Sequence, residues 1–409
     1  MSVVTPERSS DEMKIQTKTR EFRLATIGLF FISAVPFAEL YCTQGVLPQI
    51  AEGLGVSAGD SQLTVLVTTS GLAVGMIPAS LLSERRGRRN MMLVSAVLAV
   101  LVGAFMPFCG TFTELLVLEG LQGFLLAGIP AVAMAYVSEE FDSNAIMPAT
   151  GVYVAGGAAS GLVGRVLPTW VAAETGSWRW ALGAMTALMI VCAALSIALL
   201  PHSRSFVPSA VSYAKEARMF LSHLADPRLI VVFLLVFCLM GAYVSVYNSL
   251  PFHMESPPFD MSPKVYAAFF FVNLVGVFSS RLAGSMVAKA GVRRTLLVAV
   301  AVMFAGVLLL FPPAVGAIVL GTILITGGGF AGHTCLTGLI AKLVDKGRAQ
   351  AATLYMASFY GGSAVTGLIG SRVFASHHWE GLVVYVGVLM VLGFALVLTV
   401  REKAKSESP

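Results

Sequence analysis

Charged residues make up only 12% of this 409-residue chain, against roughly 25% in soluble domains. A surface so poor in charge cannot face water over most of its area, which excludes an ordinary soluble globular protein. Cysteine is sparse too. Cys42, Cys109, Cys192, Cys238 and Cys335 all lie in apolar stretches without paired spacing, so the pattern gives neither a disulfide framework nor a metal cluster. A phosphate-cradling loop is missing: Gly327-Gly328-Gly329 sits in an apolar stretch with no Lys-Ser/Thr after it, which argues against ATP-driven transport. No His/Asp/Ser constellation supports an enzyme, and no cofactor is implied.

What is there is apolar. Hydrophobic residues reach 56%, and a bilayer-spanning helix needs roughly 20 of them in a row. Twelve such stretches are predicted, near 24–48, 61–82, 91–109, 113–137, 147–170, 179–200, 228–252, 265–287, 295–313, 315–341, 350–374 and 380–400. The expected fold is all-helical and membrane-embedded, with a six-helix unit over 24–200 and another over 228–400. Cytoplasmic loops hold an excess of Lys and Arg. If both termini are cytoplasmic, the inner segments collect 22 of the 27 basic residues, the outer loops only Arg179 and Lys264, and the spans Arg165, Arg281 and Arg372. The net charge of +5 thus reflects topology rather than nucleic-acid binding. The opening 1–23 reads as a cytoplasmic tail without a cleavable signal. Residues 201–227, with Ser203, Ser205, Ser209 and Ser212, read as a linker that is helical around Tyr213–Leu224, and 401–409 as a second tail.

The two units are copies of one pattern. Glu84-Arg85-Arg86-Gly87-Arg88-Arg89 returns more weakly as Lys289-Ala290-Gly291-Val292-Arg293-Arg294, placing Gly87 and Gly291 204 residues apart. Gly123 and Gly128 match Gly327 and Gly332 at the same offset. Gly161-Leu162-Val163-Gly164 returns as Gly367-Leu368-Ile369-Gly370, and Leu47-Pro48 as Leu250-Pro251. Duplicated halves with a substrate site at their interface are a common plan for secondary transporters.

These residues resemble the major facilitator superfamily along the whole chain. The family's hallmark loop reads Gly-x-x-x-Asp-Arg-x-Gly-Arg-Arg, and the sequence here runs from Ser80 to Arg89 with Ser80 for the glycine and Glu84 for the aspartate. The second copy keeps Gly284, Gly291 and Arg294 but has Ala288 in the acid's place. Gly176-Ser177-Trp178-Arg179 and Gln122-Gly123 fit as well. Ala135 to Glu140, with Ser203-Arg204 and His333, is similar to a YnfM-type branch of efflux carriers. The resemblance implies that Glu84, Arg85, Gly87, Arg88 and Arg89 act as a latch for the outward-open state. On physical grounds Gly87 supplies the turn and the arginines hold the loop at the inner surface, so enforcement of topology alone is the competing reading.

Ionisable residues at membrane depth mark pathways or relays by default. Glu39 lies roughly 22 Å into the first span, and Glu119 about 9 Å from the outer end of the fourth, by helical rise. Arg165 falls at a comparable level, so the three are expected to form a partly neutralised cluster. An apolar setting favours the protonated carboxyl and a nearby cation the ionised one, so a carboxyl moved between them carries protons. A static ion pair bracing the helices is the alternative. Many family members carry arginine where Glu119 stands, which puts an arginine-based proton mechanism in doubt. Arg281 is expected to snorkel, Arg372 to echo Arg165, and His333 to titrate near neutral pH or pack as a buried histidine.

Two further groups complete the reading. The glycines of the fifth span (Gly151, Gly156, Gly157, Gly161, Gly164) and eleventh (Gly361, Gly362, Gly367, Gly370) are expected to pack the halves tightly together. In the family the first, fourth, seventh and tenth helices face the cavity. This makes Glu39, Tyr41, Gln44, Tyr243, Tyr247, Asn248 and His333 lining candidates, with Tyr136, Tyr355, Tyr360 and Asn273 adding to the wall. Aromatic faces with a few carboxyls suit a lipophilic, cationic small molecule. The function expected is a proton-coupled exporter, monomeric, in a bacterial inner membrane. A proton symporter importing a sugar or organic acid is the rival.

Overall fold

A computed structural model describes residues 14–204, 213–344 and 346–400. The expected tails before Lys14 and beyond Val400, and the linker serines Ser205, Ser209 and Ser212, lie outside the described residues. The described residues are helical apart from short connections. Among the described residues the only strand-like feature is an isolated bridge between Ile15 and Phe141.

Among the described residues, nine helical runs are long and apolar enough to cross a membrane. They become the twelve expected passes once two short passes and one hairpin are recognised. We label the passes α1 (Arg20–Leu54), α2 (Ala58–Arg86) and α3 (Arg88–Phe108). Next come α4 (Phe112–Leu126, resuming after a break as Ala133–Glu140), α5 (Ser143–Thr175) and α6 (Trp178–Leu199). After a connecting helix, Tyr213–Leu224, follow α7 (Pro227–Glu255), α8 (Pro263–Ala290), α9 (Val292–Leu308) and α10 (Val315–Leu343). The run Arg348–Thr399 is two passes, α11 and α12, folded back at His378, whose φ of 54° breaks the helix.

The turns follow from local chemistry. Thr111 and Glu114 form a reciprocal capping box at the start of α4, and Asp142 and Asp226 cap α5 and α7. Gly87 and Gly291 turn α2 into α3 and α8 into α9 at φ 89° and 85°, a backbone region in which only glycine is unstrained. The repeated glycine therefore has one repeated job.

The glycines of α5 and α11 pack within each half, not between halves as the sequence reading expects. A Cβ at Gly156 would lie 2.5 Å from the Phe30 carbonyl oxygen, and one at Gly164 2.2 Å from that of Ala38, both on α1. Gly362 meets the backbone of Phe237 on α7 in the same way. Small residues let helix backbones approach where lipid offers no hydrophobic gain, and here each half welds its own first and fifth passes. Across the halves, α2 packs on α11 and α5 on α8.

The halves meet at the end of the bundle distal to the chain termini. There Lys264 pairs with Glu174 at 2.7 Å, Gln62 donates to Ser249 at 3.5 Å, and Gln44 donates to Asn248 at 2.5 Å. Gln44 and Asn248 are separated by 204 residues, the repeat spacing, so equivalent residues of the two copies touch.

Candidate functional site

Within α1 the regular helix stops at Glu39. The next bonds span three residues, from Cys42 N–H to the Glu39 carbonyl at 3.2 Å and from Gln44 N–H to the Tyr41 carbonyl at 3.1 Å, and a short 3₁₀ turn covers Gln44–Val46. Mid-helix tightening of this kind often marks a hinge. It divides the polar residues of α1 into two sets facing different surroundings.

The first set is a carboxyl pair inside the N-terminal half. Glu39 is 3% exposed and lies against Cys42 and Gln122, with Glu119, itself 1% exposed, within electrostatic reach. Thr68 of α2 donates to the Glu119 carboxyl, and its hydroxyl is also 2.7 Å from the Thr64 carbonyl. Gln122 donates to the Ala99 carbonyl of α3 at 3.1 Å. One oxygen each of Glu39, Glu119 and Gln122 is buried and without a hydrogen-bond partner. Gly123 makes the site possible: a Cβ there would fall 2.0 Å from the Thr68 carbonyl oxygen, so any side chain would push α2 away from α4.

The second set faces the other half. Arg165 of α5 is 4% exposed. Its Nε donates to Gln44 Oε1 at 2.7 Å, its Nη1 donates to the Gly161 carbonyl at 2.7 Å, and its guanidinium lies 4.0 Å from the centre of the Tyr41 ring. Gln44 passes the chain on to Asn248. The structure therefore joins Glu39 to Glu119, as expected, but takes Arg165 out of that cluster: the ion pairs of the described residues do not include it, and neither carboxyl has it among its charged neighbours. Arg165 instead engages Tyr41 and Gln44, beyond the break that follows Glu39.

Opposite Arg165 stands a neutral aromatic wall. The rings of Tyr243 and Tyr247 are 4.6 Å apart, Tyr243 donates to Asn273 of α8, and the Tyr247 and Thr326 hydroxyls bond at 2.9 Å. His333 and Tyr355 form a separate pair between α10 and α11, at 2.7 Å with rings stacked. Tyr136 stands apart from all of these. Its hydroxyl donates to the Pro201 carbonyl at 3.1 Å and its ring packs on Phe141, at the terminal end of the N-terminal half. Arg281 and Arg372 are exposed, so Arg372 does not reproduce the burial of Arg165.

At the α2–α3 turn Arg88 bonds Glu84, the Ser83 hydroxyl and, at 3.1 Å, Glu139 of α4. Arg89 donates to the carbonyls of Leu200 and Ile197 at 2.9 and 3.3 Å, closing the end of α6. Sequence reading missed Glu139, although its place in the quoted run Ala135–Glu140 held the signal. It also missed Thr68, Tyr153 and Tyr266, which look like ordinary apolar-helix residues.

Known proteins agree with this architecture. The chain belongs to the Major Facilitator Superfamily, whose family model matches residues 29–352 and 282–409. It is 32% identical over 369 residues to the MFS-type transporter YybF of Bacillus subtilis, covering 90% of this chain and 91% of that one. It is 28% identical to the inner membrane transport protein YnfM of Escherichia coli over 378 residues, covering 92% and 90%. In fold it is similar to a bacterial homolog of the human lysosomal transporter Spinster in an inward-facing, occupied conformation, at a TM-score of 0.73 and 14% identity over 93% of this chain and 97% of that one. It is also similar to a D-xylose-proton symporter, at 0.72 and 15% over 94% and 98%. It is a multi-pass membrane transporter of a small molecule.

Proposed function

We propose that this transporter exchanges protons for a small organic compound by alternating access, expelling the compound from the cell. The observation that carries the reading is the Glu39–Glu119 pair, two carboxyls buried together with unpartnered oxygens and no cation beside them. Two such charges cannot both stay ionised cheaply in a dry bundle, so the pair is suited to taking up a proton. Thr68 gives it a responsive partner. Its one hydroxyl proton goes to Glu119 when that carboxyl is ionised. When Glu119 is protonated it donates to Thr68 instead, and Thr68 turns to the Thr64 carbonyl.

Exchange requires that proton and substrate sense each other, and the hinge after Glu39 supports this. The same short segment holds Glu39 in the N-terminal half and presents Tyr41 and Gln44 to the other half. With both termini cytoplasmic in an inner membrane, the distal contacts close the outer face, and the family resemblance implies an inner latch for the outward-open state at Glu84, Arg85, Gly87, Arg88 and Arg89. A single copy of the chain suffices for this cycle.

The test is purified protein in vesicles loaded with a pH dye, with a panel of organic compounds added outside at equal pH. Antiport alkalinises the lumen as substrate enters, and Glu39→Gln abolishes the signal. A lumen that acidifies assigns symport, and a Glu39→Gln signal equal to wild type removes Glu39 from the proton path.

A further inference from the structure

The interface between the halves holds a buried cation with no anion. Arg165 engages Gln44 and the Gly161 carbonyl, both neutral, and rests on the face of Tyr41. An unpaired buried charge in such a setting is unfavourable. Around it stand tyrosine hydroxyls that can donate to an anion held by Arg165. Tyr266 of α8 is fully buried with an unpartnered hydroxyl, within electrostatic range of Tyr247, Glu255, Arg165 and Tyr243. Tyr153 of α5 is 7% exposed, also with an unpartnered hydroxyl, and neighbours Tyr360, which in turn neighbours Tyr41. The carboxyls of the site, Glu39 and Glu119, are turned into the N-terminal half.

We infer that Arg165, with the hydroxyl of Tyr266, forms the subsite for a carboxylate on the transported compound, whose apolar or aromatic body lies against Tyr41, Tyr243 and Tyr247. The substrate class is therefore a small organic monoanion, not the lipophilic cation that the residue types alone suggest. A planar guanidinium with free N–H groups matches a carboxylate in geometry as well as charge. The flanking tyrosines add hydrogen bonds and ring contacts. This assignment rests on the transporter reading for its occupant but not on proton coupling. It makes a further statement about charge: exchanging a monoanion for a proton moves net charge across the membrane, whereas exchanging a monocation for a proton does not.

The experiment is equilibrium binding to the full-length protein in detergent. The probes are benzoate, phenylacetate and hexanoate, each beside its matched amine: benzylamine, phenethylamine and hexylamine. At least one carboxylate binds wild type and no amine does. Arg165→Gln weakens that binding about tenfold or more, the scale of a lost charge-assisted hydrogen bond. Arg165→Lys keeps part of it, and Tyr266→Phe, which changes one hydroxyl in a folded protein, weakens it by a smaller factor. Binding is read at equilibrium without a proton gradient, so a failure of the proton assay and a failure of this assignment read out separately. Amines binding in place of carboxylates, no carboxylate binding at all, or carboxylate binding unchanged in both Arg165→Gln and Tyr266→Phe overturns it.

Discussion

The two halves share a backbone plan and divide the chemistry. At the α2–α3 turn the N-terminal half has Gly87, the helix-closing Arg89 and the ion cluster of Glu84, Arg88 and Glu139. At the repeat spacing of 204 the C-terminal half keeps Gly291, and Arg293 still donates to a carbonyl at the end of its last pass, Leu398, at 2.9 Å. The cluster is gone: Ala288, Val292 and Leu343 stand where Glu84, Arg88 and Glu139 would be. The motif thus splits into a folding part present twice and a charged part present once. Inside the membrane the same division appears. The residues 204 beyond Glu39 and Glu119 are Tyr243 and Ile323, so the N-terminal half holds the acids and the C-terminal half a neutral aromatic wall. In the proposed proton exchange, one half would change charge and the other would serve as a fixed surface.

The largest break in the comparison comes from the acids. One coupled proton across 100 mV is worth about 2.3 kcal/mol, a gradient of about fiftyfold. Glu39→Gln is expected to lose that accumulation in vesicles held at this potential. Tyr243→Phe, at the repeat-equivalent position, keeps coupling and alters substrate affinity only. Loss of coupling in both would mean that the C-terminal half also carries protons. The charged latch comes next. Glu84→Gln leaves thermal stability near wild type and slows transport by about tenfold, a typical coupling between conformational states. Ala288→Glu changes neither, because Val292 offers the new acid no arginine.

The shared part is expected to behave alike in both halves. Gly87→Ala and Gly291→Ala each force a side chain into a glycine-only region, which costs about 1–3 kcal/mol. Thermal unfolding in detergent should show similar losses. A large loss for Gly87→Ala beside none for Gly291→Ala would show that the turn matters only where the ion cluster sits.

The passes, the duplication and the loop were legible because each is a one-dimensional signal: a run length, a constant spacing, a string around glycine. The site was legible in part. Depth along a helix follows from counting residues, which put Glu39, Glu119 and Arg165 at one level. The rotation of α1 does not, because the helix loses its regular period after Glu39 and the direction of Tyr41 and Gln44 cannot be extrapolated from the turns before. Tyr136 was misplaced for a related reason. The break in α4 between Leu126 and Ala133 resets the face that Ala133–Glu140 presents, and the tyrosine ends at Pro201. The Gln44–Asn248 contact was in reach, since equivalent residues of a two-fold repeat meet when they lie on its axis.

The smallest effect concerns how the first pass of each half begins. Thr19 caps α1 by accepting from the Phe22 N–H at 3.0 Å, and Asp226 caps α7 by accepting from the Arg228 N–H at 2.9 Å while pairing with the Arg228 guanidinium at 2.7 Å. Replacing either by alanine costs about 1 kcal/mol, but only one of the two losses depends on pH. The Arg228 side-chain hydrogen bonds hold the Asp226 carboxyl below its ordinary value of 3.8. A carboxyl lowered on folding adds stability that is present above its unfolded value and lost as pH falls through the folded one. The difference between wild type and Asp226→Ala should therefore be flat from neutral pH downward and shrink only below 3.8, while that for Thr19→Ala stays constant. A loss at Asp226 that shrinks already between pH values of about 7 and 5 would belong to another titrating group, in the range where histidine changes charge, and would remove this contrast between the halves.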